Sequence, residues 1–272
     1  MTVEQFPLSE EEIGRYSRQL IIPEIGARGQ EKLRAARVLC AGAGGLCSAS
    51  SYYLCAAGVG TLGLLDSDRV DISNLHRQIL HFTPDLGRPK VVSAREKLEA
   101  LNPNVRVVTY DTRISAENVA EILADWDVVL DGFDNFASRF LLRDACYFLR
   151  KPLVEGSVFR LEGQATVFLP GEGNPCHRCL YPEPPPAGLA PSCREAGVLG
   201  VVPGVIGLIQ ATEAIKLIVG VGRPLVATLL CYDALETSFR SFSYRKRADC
   251  PLCGQSPTIT GLATTAEACG DS

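Results

Sequence analysis

The sequence predicts an α/β fold: one Rossmann-like mixed sheet, parallel in its N-terminal half and antiparallel in its C-terminal half, with helices on both faces. Three observations carry this. A short apolar run at 36–40 meets a glycine turn, Gly42-Ala-Gly44-Gly45, which opens a helical pattern. Strand-like and helix-like segments then alternate to about Glu155, as in a parallel, helix-covered sheet. Beyond that point apolar runs come in pairs separated by short turns, the pattern of antiparallel hairpins.

The elements follow in order. The first twenty residues are acidic and amphipathic with no apolar core, so they read as neither a signal nor a transit peptide. The helix opened by the glycine turn runs through Ala57, and residues 61–65 form a second strand ending at Asp66. Runs at 105–110 and 127–131 predict further strands, with a helix over 115–126 that Ser115 would cap. Residues 157–168 predict two strands turning at Glu162-Gly163, and 225–232 with 238–244 predict another pair around Asp233. The longest apolar stretch, 198–219, carries Gln210, Glu213 and Lys216 at every third position. One polar stripe of this kind fits a buried helix better than a membrane span. No linker separates the halves, so residues 1–254 are expected to form a single domain. The proline-rich run 182–188 predicts an exposed loop, and 255–272 an unordered tail.

Composition excludes several functions. A chain of 272 residues that is 46% apolar and 21% charged has enough apolar side chains for a large core. Its 27 basic and 31 acidic residues leave a net charge of −4, so no global positive field draws it to nucleic acid or an anionic membrane. Eleven cysteines, an odd number without an export signal, point to metal ligation or thiol chemistry, and the expected compartment is cytoplasmic.

Gly42-x-Gly44-x-x-Cys47 has the first two glycines of a dinucleotide fingerprint, and Asp66 stands where a ribose would be held. The third glycine is replaced by a small cysteine. Just past that strand end, Asp66-Ser-Asp68 and Asn74-Leu-His-Arg77-Gln78 crowd acceptors, amides and a guanidinium together. Lys90 precedes the next helix, and Asp134 follows a strand on the same predicted edge, where an aspartate can hold Mg²⁺. Taken singly, Arg77 and Lys90 read as solvated surface charges. Cys176-x-x-Cys179 and Cys250-x-x-Cys253 supply four thiolates, the donor set of a closed structural Zn²⁺ site. From 179 to 250 is 71 positions, so the metal would staple the C-terminal segment to the body. A redox pair or unrelated buried cysteines are the alternatives. His177 is not expected to be a ligand, and Cys40, Cys47, Cys55, Cys146 and Cys231 read as core.

RYSRQ (15–19), GAGGLCS, LLDSDRVDISNLHRQ, GRPK, DGFDN, the paired CxxC motifs and SCREAGVLG occur in the order found in the ThiF/MoeB/HesA family. The chain resembles these bacterial relatives of ubiquitin-activating enzymes over about 8–254. Its proline-rich loop and CGQSPTITGL segment look most like the MoeZ / molybdenum cofactor synthesis protein 3 branch, in which a rhodanese domain usually follows; these 272 residues include none. The resemblance implies ATP-dependent adenylation of the C-terminal glycine of a ubiquitin-like sulfur carrier of the MoaD/ThiS type, ending in Gly-Gly. Molybdopterin synthesis or tRNA thiolation would be the pathway. A sulfurtransferase or cysteine desulfurase would be the sulfur donor. It further implies that Asp66, Gly42 and Gly44 bind nucleotide and that Asn74 and Gln78 position phosphates. Arg77 and Lys90 would neutralise charge, with Mg²⁺ on Asp134. Arg18 would act on the partner's site in a homodimer. Cys193, flanked by Arg194 and Glu195, is where some relatives form a thioester or acyl-persulfide; a small buried residue is the alternative there. An NAD-dependent oxidoreductase and a catalytically silent carrier-binding scaffold remain competing readings.

Overall fold

Ser9 starts the first helix by a reciprocal cap: its hydroxyl accepts from the Glu12 N–H, and Glu12 accepts from the Ser9 N–H at 2.8 Å. The computed structural model describes residues 8–185 and 197–262. From that cap, α1 (Glu10–Leu20) and α2 (Gly26–Ala35) lead to β1 (Arg37–Ala41), α3 (Gly45–Ala56) and β2 (Thr61–Leu65). Then come α4 (Lys90–Leu101), β3 (Arg106–Tyr110), α5 (Val119–Leu123), β4 (Val128–Asp131) and α6 (Phe136–Phe148). The second half contains β5 (Leu153–Phe159), β6 (Glu162–Phe168), α7 (His177–Leu180), α8 (Val201–Val219), β7 (Thr228–Asp233) and β8 (Ser238–Ser243).

The strands make one eight-stranded sheet in the order β3-β2-β1-β4-β5-β6-β7-β8. Pairing is parallel from β3 through β5 and antiparallel from β5 onward, the mixed sheet the patterning predicts. Alternate residues feed two cores. Val38 and Cys40 join Leu54, Leu98, Ala211 and Ala214 beneath α3, α4 and α8. Leu39 and Ala41 face Ile122, Trp126, Leu141 and Leu142 of the α5–α6 layer.

Helix α8 is the central ridge, packed on α3, β5 and β6. It is long and apolar enough to cross a membrane, yet its polar stripe is spent inside the fold. The buried Gln210 amide donates to the Asp131 carbonyl at 2.9 Å and the Val154 carbonyl at 3.1 Å, tying β4 to β5. Glu213 accepts from the Leu225 N–H and pairs with Lys216. Contact with α3 is close because Gly207 has no side chain: a Cβ there would lie 2.3 Å from the Leu46 carbonyl oxygen.

Three expectations need correction. The β5–β6 turn lies at Arg160-Leu161, with Arg160 at φ 55°, not at Glu162-Gly163. Glu162 and Gly163 pair with Phe159 and Val158, and Gly163 exists for α8: a Cβ would stand 2.4 Å from Ile206. The helix expected over 115–126 is regular only over Val119–Leu123, and Ser115 contributes its backbone carbonyl to the Val119 N–H rather than a side-chain cap. The tail expected from 255 holds an ordered stretch to 262, since the Thr258 and Ile259 N–H groups both bond the Pro251 carbonyl and Leu262 packs on the second core. Residues 263–272 lie outside the described residues.

Asp85 organises the crossover that delivers Lys90 to the start of α4. Burial alone would raise this carboxyl, but Lys97, the Phe82 N–H and Ser93 outweigh it and hold it down at about 2, with Arg88 also paired at 2.7 Å. A folded-state value below the ordinary carboxylate range stabilises the protein above about pH 4 and stops doing so as pH falls toward 2. Acid titration of unfolding should therefore show a loss of up to about 2 kcal/mol between pH 5 and 2. Asp85→Asn should remove that part of the slope. Gly63→Ala should cost about 1–3 kcal/mol in urea unfolding, because the new methyl meets Trp126 at 2.5 Å and Leu39 at 2.7 Å.

Candidate functional site

The site forms at the carboxyl edge of the parallel strands, where the chain leaves β1 for β2 and β4 lies on the other side. Gly42 adopts φ 105°, and a Cβ there would meet the Gly132 carbonyl oxygen at 2.8 Å. Only glycine satisfies both demands. Gly44 caps α3 without any side-chain bond, so the first N–H groups of that helix face the turn. Helix α4 likewise starts at Lys90 behind Pro89 with no side-chain cap. The uncapped start of α3 beside one lysine forms a ready anion site, whereas the Lys90 and Val92 N–H groups of α4 are taken by the Asp68 and Pro89 carbonyls. Cys47 fills the third fingerprint position because its Sγ occupies the space a Cβ of Gly132 would need, 2.4 Å away. Contact with Cys40 and burial push the Cys47 thiol well up, so it packs as a neutral group.

Around this turn the candidate residues assemble in pairs. Asp66 accepts from the Ala43 N–H and the Asp68 N–H, both at 2.8 Å; burial raises its carboxyl despite Lys90 and these donors. The buried Lys90 ammonium rests on Asp68 at 2.9 Å, and its backbone N–H bonds the Asp68 carbonyl. Gln78 is buried beside Gly44, and its Oε1 has no partner among the described residues. An orphaned amide oxygen beside an open glycine turn fits a ligand that donates a hydrogen bond there. Asn74 spends its Oδ1 on the Asp71 N–H, closing the 3-10 turn Ile72–Asn74. Arg77 is half-buried, with Nη1 on the Ser73 carbonyl at 2.8 Å and 3.0 Å from His76 Nε2. Its other nitrogens have no partner among the described residues.

The DGFDN segment divides its labour. Asp131 is fully buried in an ion cluster, 2.8 Å from Arg143 Nε, with Glu155 bridging Arg139 and Arg143. Asn135 caps α6 through Ser138. Asp134 is exposed and makes no hydrogen bond or ion pair among the described residues, so its carboxylate could hold a divalent cation. Arg18 is not part of this grouping. It is exposed on the last turn of α1, and its neighbour Gln19 bonds the Ala57 carbonyl at the far end of α3. Twelve residues of α3 span about 18 Å, longer than an arginine side chain, so Arg18 does not reach the glycine turn of its own protomer. Cys193, with Arg194 and Glu195, lies outside the described residues.

The four CxxC cysteines converge, all Sγ atoms within 4.8 Å of one another. Cys176 lies 4.0 Å from Cys179 and 3.5 Å from Cys250, and Cys179 lies 3.4 Å from Cys253. A tetrahedron with Zn–S bonds of about 2.3 Å has edges of about 3.8 Å, so these donors fit the metal. The Arg247 and Cys253 N–H groups point at sulfur at 3.4 Å, as suits thiolates. His177 faces Asp144, 3.2 Å away, and burial lowers it to about 4, so it stays neutral and outside the sulfur set. Cys40, Cys47, Cys55 and Cys146 are core, whereas Cys231 is only half-buried.

Sequence reasoning missed the supports. His81, buried, bonds the Ala43 carbonyl and Ser93 at 2.9 Å each and so steadies the glycine turn. The Arg139–Arg143 pair and the partners of Gln210 were equally silent. A glutamine inside an apolar helix was the one visible signal.

Comparison with known proteins places the chain in a family. The ThiF family model matches residues 16–252. A sulfur carrier protein adenylyltransferase of Thermus thermophilus is 50% identical over 266 residues, covering 96% of this chain and 98% of its own. The adenylyltransferase and sulfurtransferase MOCS3 of Culex quinquefasciatus is 48% identical, with 96% of this chain matching 60% of the mosquito protein. A SAMP-activating enzyme E1 of Haloferax volcanii is 46% identical over 91% of both chains. Among solved structures, E. coli MccB with a MccA derivative superposes with a TM-score of 0.78 at 21% identity, over 88% of this chain and 75% of MccB, which is a likeness of fold. With a family match spanning most of its length and relatives near half-identity end to end, the chain belongs to the ThiF family.

Proposed function

We propose that this protein is an ATP-dependent adenylyltransferase that activates the C-terminal glycine of a ubiquitin-like sulfur carrier and releases pyrophosphate. The observation that carries the reading is the meeting of the uncapped start of α3, the buried Lys90 and the doubly bonded Asp66 at one glycine turn. The names of the relatives in Thermus and Haloferax support the carrier as substrate. A terminal carboxylate, with an ordinary pKa of about 3.3 to 3.7, is already an anion at neutral pH and needs no general base. Its difficulty is approach to a polyanion. Lys90, Arg77 and the start of α3 offset that repulsion and stabilise the departing pyrophosphate. Asp66 holds the ribose, Gly42 and Gly44 admit the nucleotide to the backbone, and Gln78 and Asn74 offer amide groups to phosphate oxygens. Asp134 would hold Mg²⁺, which neutralises phosphate charge when bound.

The Cys176, Cys179, Cys250 and Cys253 site would hold Zn²⁺ with all four positions taken by protein, which makes it a staple rather than a reaction centre. Homodimerisation is supported by α1, whose free surface carries Ile13 at 49% exposure beside Gly14 and Arg18 and continues to Ile21 at 71%. Since Arg18 is out of reach of its own turn, a second copy would receive it. Cys193 is the candidate acceptor for the acyl group after adenylation. Molybdopterin synthesis and tRNA thiolation are the pathways this reading serves.

ATP–pyrophosphate exchange with Mg²⁺ and a panel of carriers ending in Gly-Gly should require one carrier and thereby name the pathway. No exchange with any carrier, from folded protein, would sink the reading, and NAD binding without ATP binding would revive the dehydrogenase. Lys90→Ala should lower exchange by about 10²-fold or more with dimer and metal unchanged. Metal analysis should find about one Zn²⁺ per chain. Chelation should expose the segment after Arg245 to protease; metal-free protein with four reactive thiols and an unchanged digest would refute the staple.

A further inference from the structure

We infer that Tyr16, Gln19, Gln30 and Asn102 form a polar latch that positions Arg18 for use by a second copy of the chain, an inference that rests on the proposed adenylation and on Arg18 acting in trans.

The observation is the division of the RYSRQ segment between two faces of α1. Arg15 donates to the Leu101 carbonyl at 3.2 Å. Tyr16, 3% exposed, accepts from Asn102 Nδ2 at 2.8 Å. Gln19 Nε2 donates to Gln30 Oε1 at 2.8 Å and to the Ala57 carbonyl at 3.2 Å. Ser17 and Arg18 face out. The receiving groups lie where two helices end: Leu101 closes α4, Asn102 caps it, and Ala57 caps α3.

Every member of the latch is bonded. Asn102 gives Nδ2 hydrogens to Tyr16 and the Cys55 carbonyl, and its Oδ1 takes the Asn104 N–H. Gln30 uses Oε1 for Gln19 and Nε2 for Ala57 at 2.9 Å. Both Asn102 and Gln30 are completely buried. Gly58, at φ 82°, leaves room for the phenol; a Cβ there would sit 2.5 Å from Tyr16 Cζ. An apolar stripe would bind α1 about as well but would let it slide or roll, whereas directional bonds fix its rotation and register. Fixed rotation is what an arginine needs when it must serve a site on another subunit. These residues touch no substrate of their own protomer, so they are positioning residues.

The test mixes subunits. Arg18→Ala protein is co-refolded with Lys90→Ala protein, and exchange is measured with the carrier that wild type uses. The heterodimer holds one site with an intact Lys90 and an Arg18 from across the interface, so exchange should return. Tyr16→Phe, and separately Gln19→Ala, is then placed on one subunit at a time. On the Lys90→Ala subunit, which donates Arg18, either change should lower the restored kcat by about tenfold or more, since small misplacement of a catalytic group has effects of that order. On the Arg18→Ala subunit, which only receives, the same change should leave the restored rate and the KM for ATP unaltered. A loss of equal size on either subunit, or no loss on either, overturns the latch. Failure of the two parents to restore exchange, while wild type is active, overturns action in trans and the latch with it. An inactive wild type instead counts against the adenylation reading.

Discussion

No side chain fits between the ends of β1 and β4, and much of the site follows from that. The two strands run side by side, yet the chain leaves them for opposite flanks of the sheet. At their carboxyl ends Gly42 and Gly132 come close enough that a Cβ on Gly42 would strike the Gly132 carbonyl oxygen at 2.8 Å. The Gly132 N–H is bonded to the Ala41 carbonyl and the Gly42 N–H to that of Leu65, so the crossing is held by backbone alone. Bare backbone there opens the cleft into which α3 points its first N–H groups. The departure from the dinucleotide fingerprint follows as well, because Cys47 is accommodated by the missing side chain of Gly132 rather than by any slack in α3.

Around that cleft the protein holds its charges in two ways. Structural charges are sealed: Asp131, Glu155 and Arg143 neutralise one another in the interior, where losing one partner would strand the others. The charges offered to a ligand are bonded but open. Lys90 is buried itself yet leans on Asp68, which is half-exposed, and Arg77 uses one nitrogen and leaves the rest. A polyanion can displace or share such contacts at little cost, whereas it could not draw on the sealed cluster. Asp131 and Asp134, three residues apart in one motif, thus have opposite fates.

The four clustered cysteines and α1 extend the same logic outward. Each is a short segment fastened by a few directional bonds to the ends of core elements: Cys250 and Cys253 to α7, and Tyr16 and Gln19 to the ends of α3 and α4. Directional attachment matters where a segment must hold one orientation without a large apolar contact of its own.

The sequence by itself determined the alternation of strands and helices, the switch from parallel to antiparallel pairing, the glycine turn, the paired CxxC donors and the identity of most candidate site residues. These are local or periodic properties: a two-residue period, a 3.6-residue period, a turn that tolerates only glycine, a ligand spacing. Tertiary structure alone decided which polar residues became supports. His81, Arg143 and Asn102 carry no pattern in the chain, and Gln210 shows only as a polar position in an apolar helix, because their meaning lies in partners 12 to 86 residues away. The same holds for Gly163, read as a turn and found to make room for Ile206, and for Arg18, whose motif is plain in sequence while its distance from its own nucleotide turn is set by the length of α3. A chain's periodicities are fixed by bonds between neighbours, but which groups face each other across the core is settled only when the layers close.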